Sequence, residues 1–138
     1  MKEIILASFG AVGSFIAAAL GGWDYALQAL IIFMIVDYFM GMILAGVFKK
    51  SKKSSTGALN SNAGFKGVTK KIILLLFVLV GYQLDYVLSA NFVRNTVIIA
   101  LIVNELISIT ENGGLMGIPI PATIQKAIDI LNKRGSEK

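Results

Sequence analysis

Four apolar stretches run along the chain, separated by polar segments of very unequal length. Ile4–Leu20 is apolar for 17 residues and stops at Gly21-Gly22-Trp23-Asp24. The next run, Ala26–Phe48, has 23 residues and a single charge, Asp37. As a helix it is about 34 Å long, enough to cross a hydrocarbon core of about 30 Å. Ile72–Leu88 is a third apolar run, with Leu74, Val78, Gly81 and Asp85 on one helical face. Val97–Thr110 is short for a span. It gathers Asn104, Glu105 and Ser108, with Glu111 just beyond, on one face led by Leu101. Ile98, Ile99, Ile102, Leu106 and Ile109 cover the rest. Such a helix crosses with its polar face inward or lies against the membrane, and periodicity alone leaves both open. Pro121 then suits the first position of a last helix, 121–133. There Ile124, Ala127, Ile128 and Leu131 oppose Gln125, Lys126, Asp129 and Lys133, an amphipathic pattern for a membrane surface or a neighbouring helix.

The pattern predicts an all-α integral membrane protein, one membrane domain over residues 1–138. Helices are expected at 4–20, 26–48, 72–88 and 97–110, giving three or four spans, with the tail helix after them. Composition agrees: 56% of residues are hydrophobic and 15% charged, against about 25% charged in soluble domains. There is no cysteine and no histidine. That removes disulfides, thiol nucleophiles, the usual zinc sites and imidazole bases. Neither an enzyme nor a cofactor is expected.

The net charge of +5 is concentrated in one place. Residues 49–71 hold seven lysines (Lys49, Lys50, Lys52, Lys53, Lys66, Lys70 and Lys71) and no acid. Between two apolar runs, and with little aromatic interleaving, they read as a cytoplasmic loop against anionic headgroups, not a nucleic-acid surface. If that loop is cytoplasmic, four spans put both termini inside. The tail cations Lys126, Lys133 and Arg134 then obey the positive-inside rule as well. With three spans they violate it, so four is preferred.

Two sets of residues need an explanation beyond spanning. Asp37, Gly41 and Ala45 fall at i, i+4 and i+8 on one stripe. A charged Asp at mid-bilayer costs about 2.5–3.5 kcal/mol on insertion scales, so that stripe should turn away from lipid. Two readings stand: a carboxyl group that glues the bundle, or a role in assembly or a wet path. In the first run, Gly10 with Ser14 and Gly13 with Ala17 are small residues four apart, which lets helix backbones approach closely. The partner is this chain or another copy. That first run also competes with a signal peptide. Its length, Glu3 beside Lys2 and the immediate second span argue against cleavage.

Several of these stretches share one pattern. Asp37-x-x-x-Gly41 is followed by the lysine-rich segment and by Ser61–Lys71 with its Gly and Lys spacing. The run NELISITENGGLMGIPIP, Asn104–Pro121, then leads into the amphipathic tail. Over about residues 25–132 the chain resembles the toxin-secretion/phage-lysis holin family of phages and Gram-positive bacteria. The matching residues are Asp37, Gly41, Asn104, Glu105, Ser108, Glu111 and Asn112. The resemblance implies a multi-pass protein of the bacterial cytoplasmic membrane that accumulates and then self-assembles. It implies lesions through which a murein hydrolase (endolysin), or in some members a toxin, gets out. The family gives these residues no catalytic role; assembly or pore lining is inferred from burial and helix faces, for Ala45 as for the others. The expected partners are further copies, membrane lipids and the hydrolase or toxin, with no nucleic acid. A small ion or solute channel or transporter, and a non-conducting antagonist of a holin, are the alternatives.

The charge pattern generates a topology prediction. A cysteine at Ser55 should stay unlabelled when an impermeant maleimide is applied to intact cells before any lysis, and one at Gly22 should label. Labelling at Ser55 would reverse the orientation.

Overall fold

The computed structural model describes residues 1–136. Five helices follow one another: α1 Lys2–Ala19, α2 Tyr25–Ile43, α3 Ser61–Leu88, α4 Val93–Leu115 and α5 Ala122–Ser136. A single π-helical turn, Leu44–Phe48, prolongs α2 until Lys49 takes a left-handed backbone conformation. Four helices are long and apolar enough to cross a membrane, the first counting from Lys2, the second including the π turn. The protein is therefore all-helical with four candidate spans and a C-terminal helix.

Two expected boundaries are corrected. The basic segment 49–71 is not one loop. Irregular backbone covers only 49–60, and residues 61–71 form the first turns of α3. The cause is a helix cap: the Asn60 side chain accepts from the backbone N–H groups of Asn62, at 2.8 Å, and Ala63, at 3.4 Å. The fourth helix runs over 93–115, not 97–110. The Asp85 carboxylate caps its start, accepting from Val93 N–H at 2.8 Å and Arg94 N–H at 3.1 Å. Polar residues at both ends hid its length, and at 23 residues it is long enough to cross.

The core is a set of heptad-like stripes. Leu27, Leu30 and Met34 on α2 meet Val78 on α3 and Ile98 and Ile102 on α4. α4 is the hub, packed against α2, α3 and α5. α1 stands apart. None of its residues is buried, and a Cβ added at Gly10 or Gly13 would touch nothing within 4 Å. Ser14 is exposed and Ala17 half-buried. The stripe of small residues therefore has no partner along it among the described residues.

One arginine ties the end of α1 to the bundle. Arg94 is buried, and its guanidinium donates to Leu20 O, to Gly22 O at 3.0 Å and to Asp24 Oδ2 at 2.8 Å. Hydrogen bonding to Arg94 holds the Asp24 carboxyl below its usual pKa, against the opposing effect of partial burial. This contribution to stability is complete above the ordinary carboxylate pKa and is lost as pH falls through the lowered one. The turn needs glycine: Gly21 has φ +99°, and a Cβ there would run into the Arg94 side chain. Gly22 is also left-handed, at φ +96°, so exposed Asn91 reports the same face of the membrane without backbone strain.

Arg94→Ala should destabilise the protein in detergent by about 1–3 kcal/mol, because two carbonyls lose a charged donor. Asp24→Asn should cost under about 1 kcal/mol, since Asp24 is half exposed. Equal losses in equilibrium unfolding would show that Arg94 does not anchor the turn.

Candidate functional site: a buried ionic cluster joining three spans

The core stripes continue past their apolar part into charge. On α2, Leu27, Leu30 and Met34 lead to Asp37, which is 3% exposed. On α4, Ile98 and Ile102 lead to Glu105, 2% exposed, and on to Asn112. On α3, Val78 and Leu74 lead back to Lys71. Each charged side chain thus occupies a position where the packing pattern calls for an apolar one.

They meet at the Lys71 ammonium. Lys71 Nζ lies 2.8 Å from Asp37 Oδ2 and 2.8 Å from Glu105 Oε2. The other oxygen of Asp37 accepts from Ser108 Oγ at 2.7 Å and from Asn112 Nδ2 at 3.1 Å. One cation, one hydroxyl and one amide therefore bind two carboxyl groups, and the five side chains come from three helices. Gly41 lies beside the cluster, where a Cβ would be in ordinary contact with Asn112 Nδ2 at 4.0 Å. Ala45 is buried one turn further along the same face. An open cleft of about 280 Å³ adjoins the cluster, its walls including Asn104, Glu111 and Lys70.

The expected site residues separate accordingly. Asp37, Glu105 and Ser108 come together, and Gly41 and Ala45 line their side of α2. Asn104 and Glu111 do not join them; both are exposed at the cleft. Lys71, expected at the headgroups, is half-buried inside the bundle, whereas Lys49, Lys50, Lys52, Lys53, Lys66 and Lys70 remain exposed. The signal for Lys71 was present in the spacing. Extending the Leu74-Val78-Gly81 stripe back by three residues lands on it. Asn112 lies seven residues beyond Glu105, on the same heptad stripe. Among the described residues, no group of three or more acidic, histidine or cysteine side chains is placed to hold a metal ion.

Four helices long and apolar enough to span, three of them closed around an internal ionic cluster, define a multi-pass membrane protein. Comparison with known proteins narrows the class. Residues 14–133 match the bacteriophage holin family, and the chain belongs to it. A probable holin of Bacillus phage phi105 is 28% identical over 113 residues, 81% of this chain and 78% of that protein. An uncharacterised protein of Clostridium perfringens is 35% identical over 98% of this chain and 97% of its own length. Another, from Halalkalibacterium halodurans, is 32% identical over 95% of this chain and 96% of its own. No solved structure matches.

Lys71→Met should leave Asp37 and Glu105 facing each other without a cation. Breaking a buried ion pair from one side costs about 3–5 kcal/mol. Adding Asp37→Leu and Glu105→Leu should recover most of that loss. Unfolding in detergent measures both, and a single variant as stable as the parent would mean the cluster does not hold the spans together.

Proposed function

We propose that the chain is a holin in the working sense. It accumulates in the cytoplasmic membrane with its polar groups closed inward, then self-assembles into lesions that pass a murein hydrolase. One observation carries the reading beyond family membership: the buried charges of three spans are paired within a single chain, while the small-residue face of a fourth has no partner among the described residues. The cluster of Asp37, Lys71, Glu105, Ser108 and Asn112 makes the dispersed state tolerable in lipid. α1 supplies a face for further copies through Gly10, Gly13, Ser14 and Ala17. Self-assembly is needed on size alone. A folded hydrolase is tens of ångströms across, and four helices of about 10 Å diameter cannot enclose it.

Residues that close the cluster then set when the lesion forms. Gly41→Leu pushes against Asn112 and should shift or block release without preventing insertion. Asp37→Leu removes the acceptor for three donors and should do the same.

Induced expression beside a cytoplasmic murein hydrolase that lacks an export signal should release the enzyme after a lag. Cross-linking just before release should give ladders well beyond a dimer. Dissipation of an ion gradient with the hydrolase retained, and only monomers and dimers cross-linked, would instead identify a small channel or transporter. An inert membrane protein that delays lysis by another holin would identify an antagonist.

A further inference from the structure

The tail helix does not lie across the end of the bundle; it runs back along α4. Two contacts fix its course. Just before α5 begins, Ile120 Cδ1 comes within 3.0 Å of where a Cβ on Gly113 would stand. At its other end, the Cβ position of Gly135 is 3.6 Å from Ile99 Cγ2. From Gly113 back to Ile99 is about 21 Å along α4. Between these points Ile128 is buried and Leu131 packs against the core.

This course carries the end of α5 deep. α4 is one of the four helices able to cross the membrane, and Ile99 lies within two turns of its first residue, Val93. The last turns of α5 therefore stand beside the far half of a span, and Arg134 is away from the cytoplasmic face where the charge pattern put the tail cations. The exposed side of α5 is mainly polar, with Gln125, Lys126, Asp129, Asn132 and Arg134 all exposed and apolar Ile130 among them. The outward face of α3 is the contrast: Ile73, Leu76, Phe77 and Val80 are exposed and suit hydrocarbon. Charges at that depth turn toward protein or a water-filled cavity, not toward lipid.

We infer that in the assembled state the polar face of α5 lines the water-filled lumen, with α4 behind it as the wall and α3 turned to lipid. The inference rests on the large-lesion reading above and adds which surface meets the water. One helix face cannot close a lumen, so further copies of this chain supply the rest of the ring.

The chain has no cysteine, so introduced ones are unambiguous. Two proteins are reconstituted in phosphatidylethanolamine–phosphatidylglycerol vesicles loaded with a folded murein hydrolase. In the first, Ile99→Cys with Gly135→Cys is oxidised to lock α5 along α4. The disulfide should form, and the locked protein should release the hydrolase within twofold of its reduced rate. In the second, a spin label on Asn132→Cys should collide with a water-soluble nickel complex at least tenfold more than a label on Phe77→Cys, which should favour oxygen. Failure of the disulfide to form would place α5 elsewhere. A disulfide that blocks release would show that α5 must leave α4. An oxygen-dominated signal at position 132 would turn the face to lipid. Each of these overturns the lumen assignment while release by the reduced protein leaves the lesion reading standing. If the reduced protein and the unmodified chain both retain the hydrolase, the lesion reading itself falls, and the lumen assignment with it.

Discussion

A single ammonium group holds the arrangement of spans together. Lys71 sits between Asp37 and Glu105, and the three residues come from three different helices. In lipid the hydrophobic effect does not draw helices to one another, so packing and polar contacts decide which faces meet. The apolar stripes on α2, α3 and α4 would tolerate rotation or sliding of one helix on another. The ion cluster does not, because any other register leaves a carboxyl group or an ammonium without its partner in a medium of low dielectric constant. The pairing therefore selects one arrangement. Its contribution to net stability is smaller, since desolvation offsets much of the attraction.

The same balance makes the cluster a reasonable place for a structural change. Two carboxyl groups share one cation, and Ser108 and Asn112 supply the remaining donors to Asp37. The set is satisfied but not overdetermined. Glu105 also borders the cleft, where Asn104 and Glu111 are exposed. If α4 turns or water enters from that cleft, hydration replaces the lost contacts and the penalty for opening falls. An apolar core of the same size has no such second solution. Under the proposed function this meets one physical requirement: a protein that rests in lipid alone and in water-lined assemblies later needs polar groups that can be satisfied either way.

Much of this was legible in the sequence. The four helices followed from apolar runs, and the inward turn of the stripe of Asp37, half-buried Gly41 and Ala45 followed from their spacing. What the pattern obscured was where helices begin when they begin in polar sequence. Asn60 starts α3 eleven residues before Lys71, so a segment rich in lysine, serine and asparagine is half helix. Reading all seven lysines as one group assigned Lys71 to the headgroups, although its spacing from Leu74 and Val78 puts it on the core face. Arg94 was similarly hidden. It is the lone cation between the third and fourth apolar runs, yet it is buried because the glycine turn before α2 offers it carbonyl oxygens. Neither partner is near in sequence, and no local pattern announces such a contact.

The distribution of exposed residues completes the physical argument. A membrane protein that works alone hides its polar groups and shows lipid an apolar surface all round. This chain does the first at the ion cluster and departs from the second in two places. α1 presents small residues to empty space, and α5 presents charge beside a spanning helix. A stripe of small side chains gains by close backbone approach, which lipid chains do not offer. A charged face gains by water, which the bilayer interior does not offer. Both deficits are removed together if copies of the chain pack through α1 and enclose water against α5. Under the proposed function the surface of the single chain is therefore incomplete in a directional way, and assembly around water would complete it.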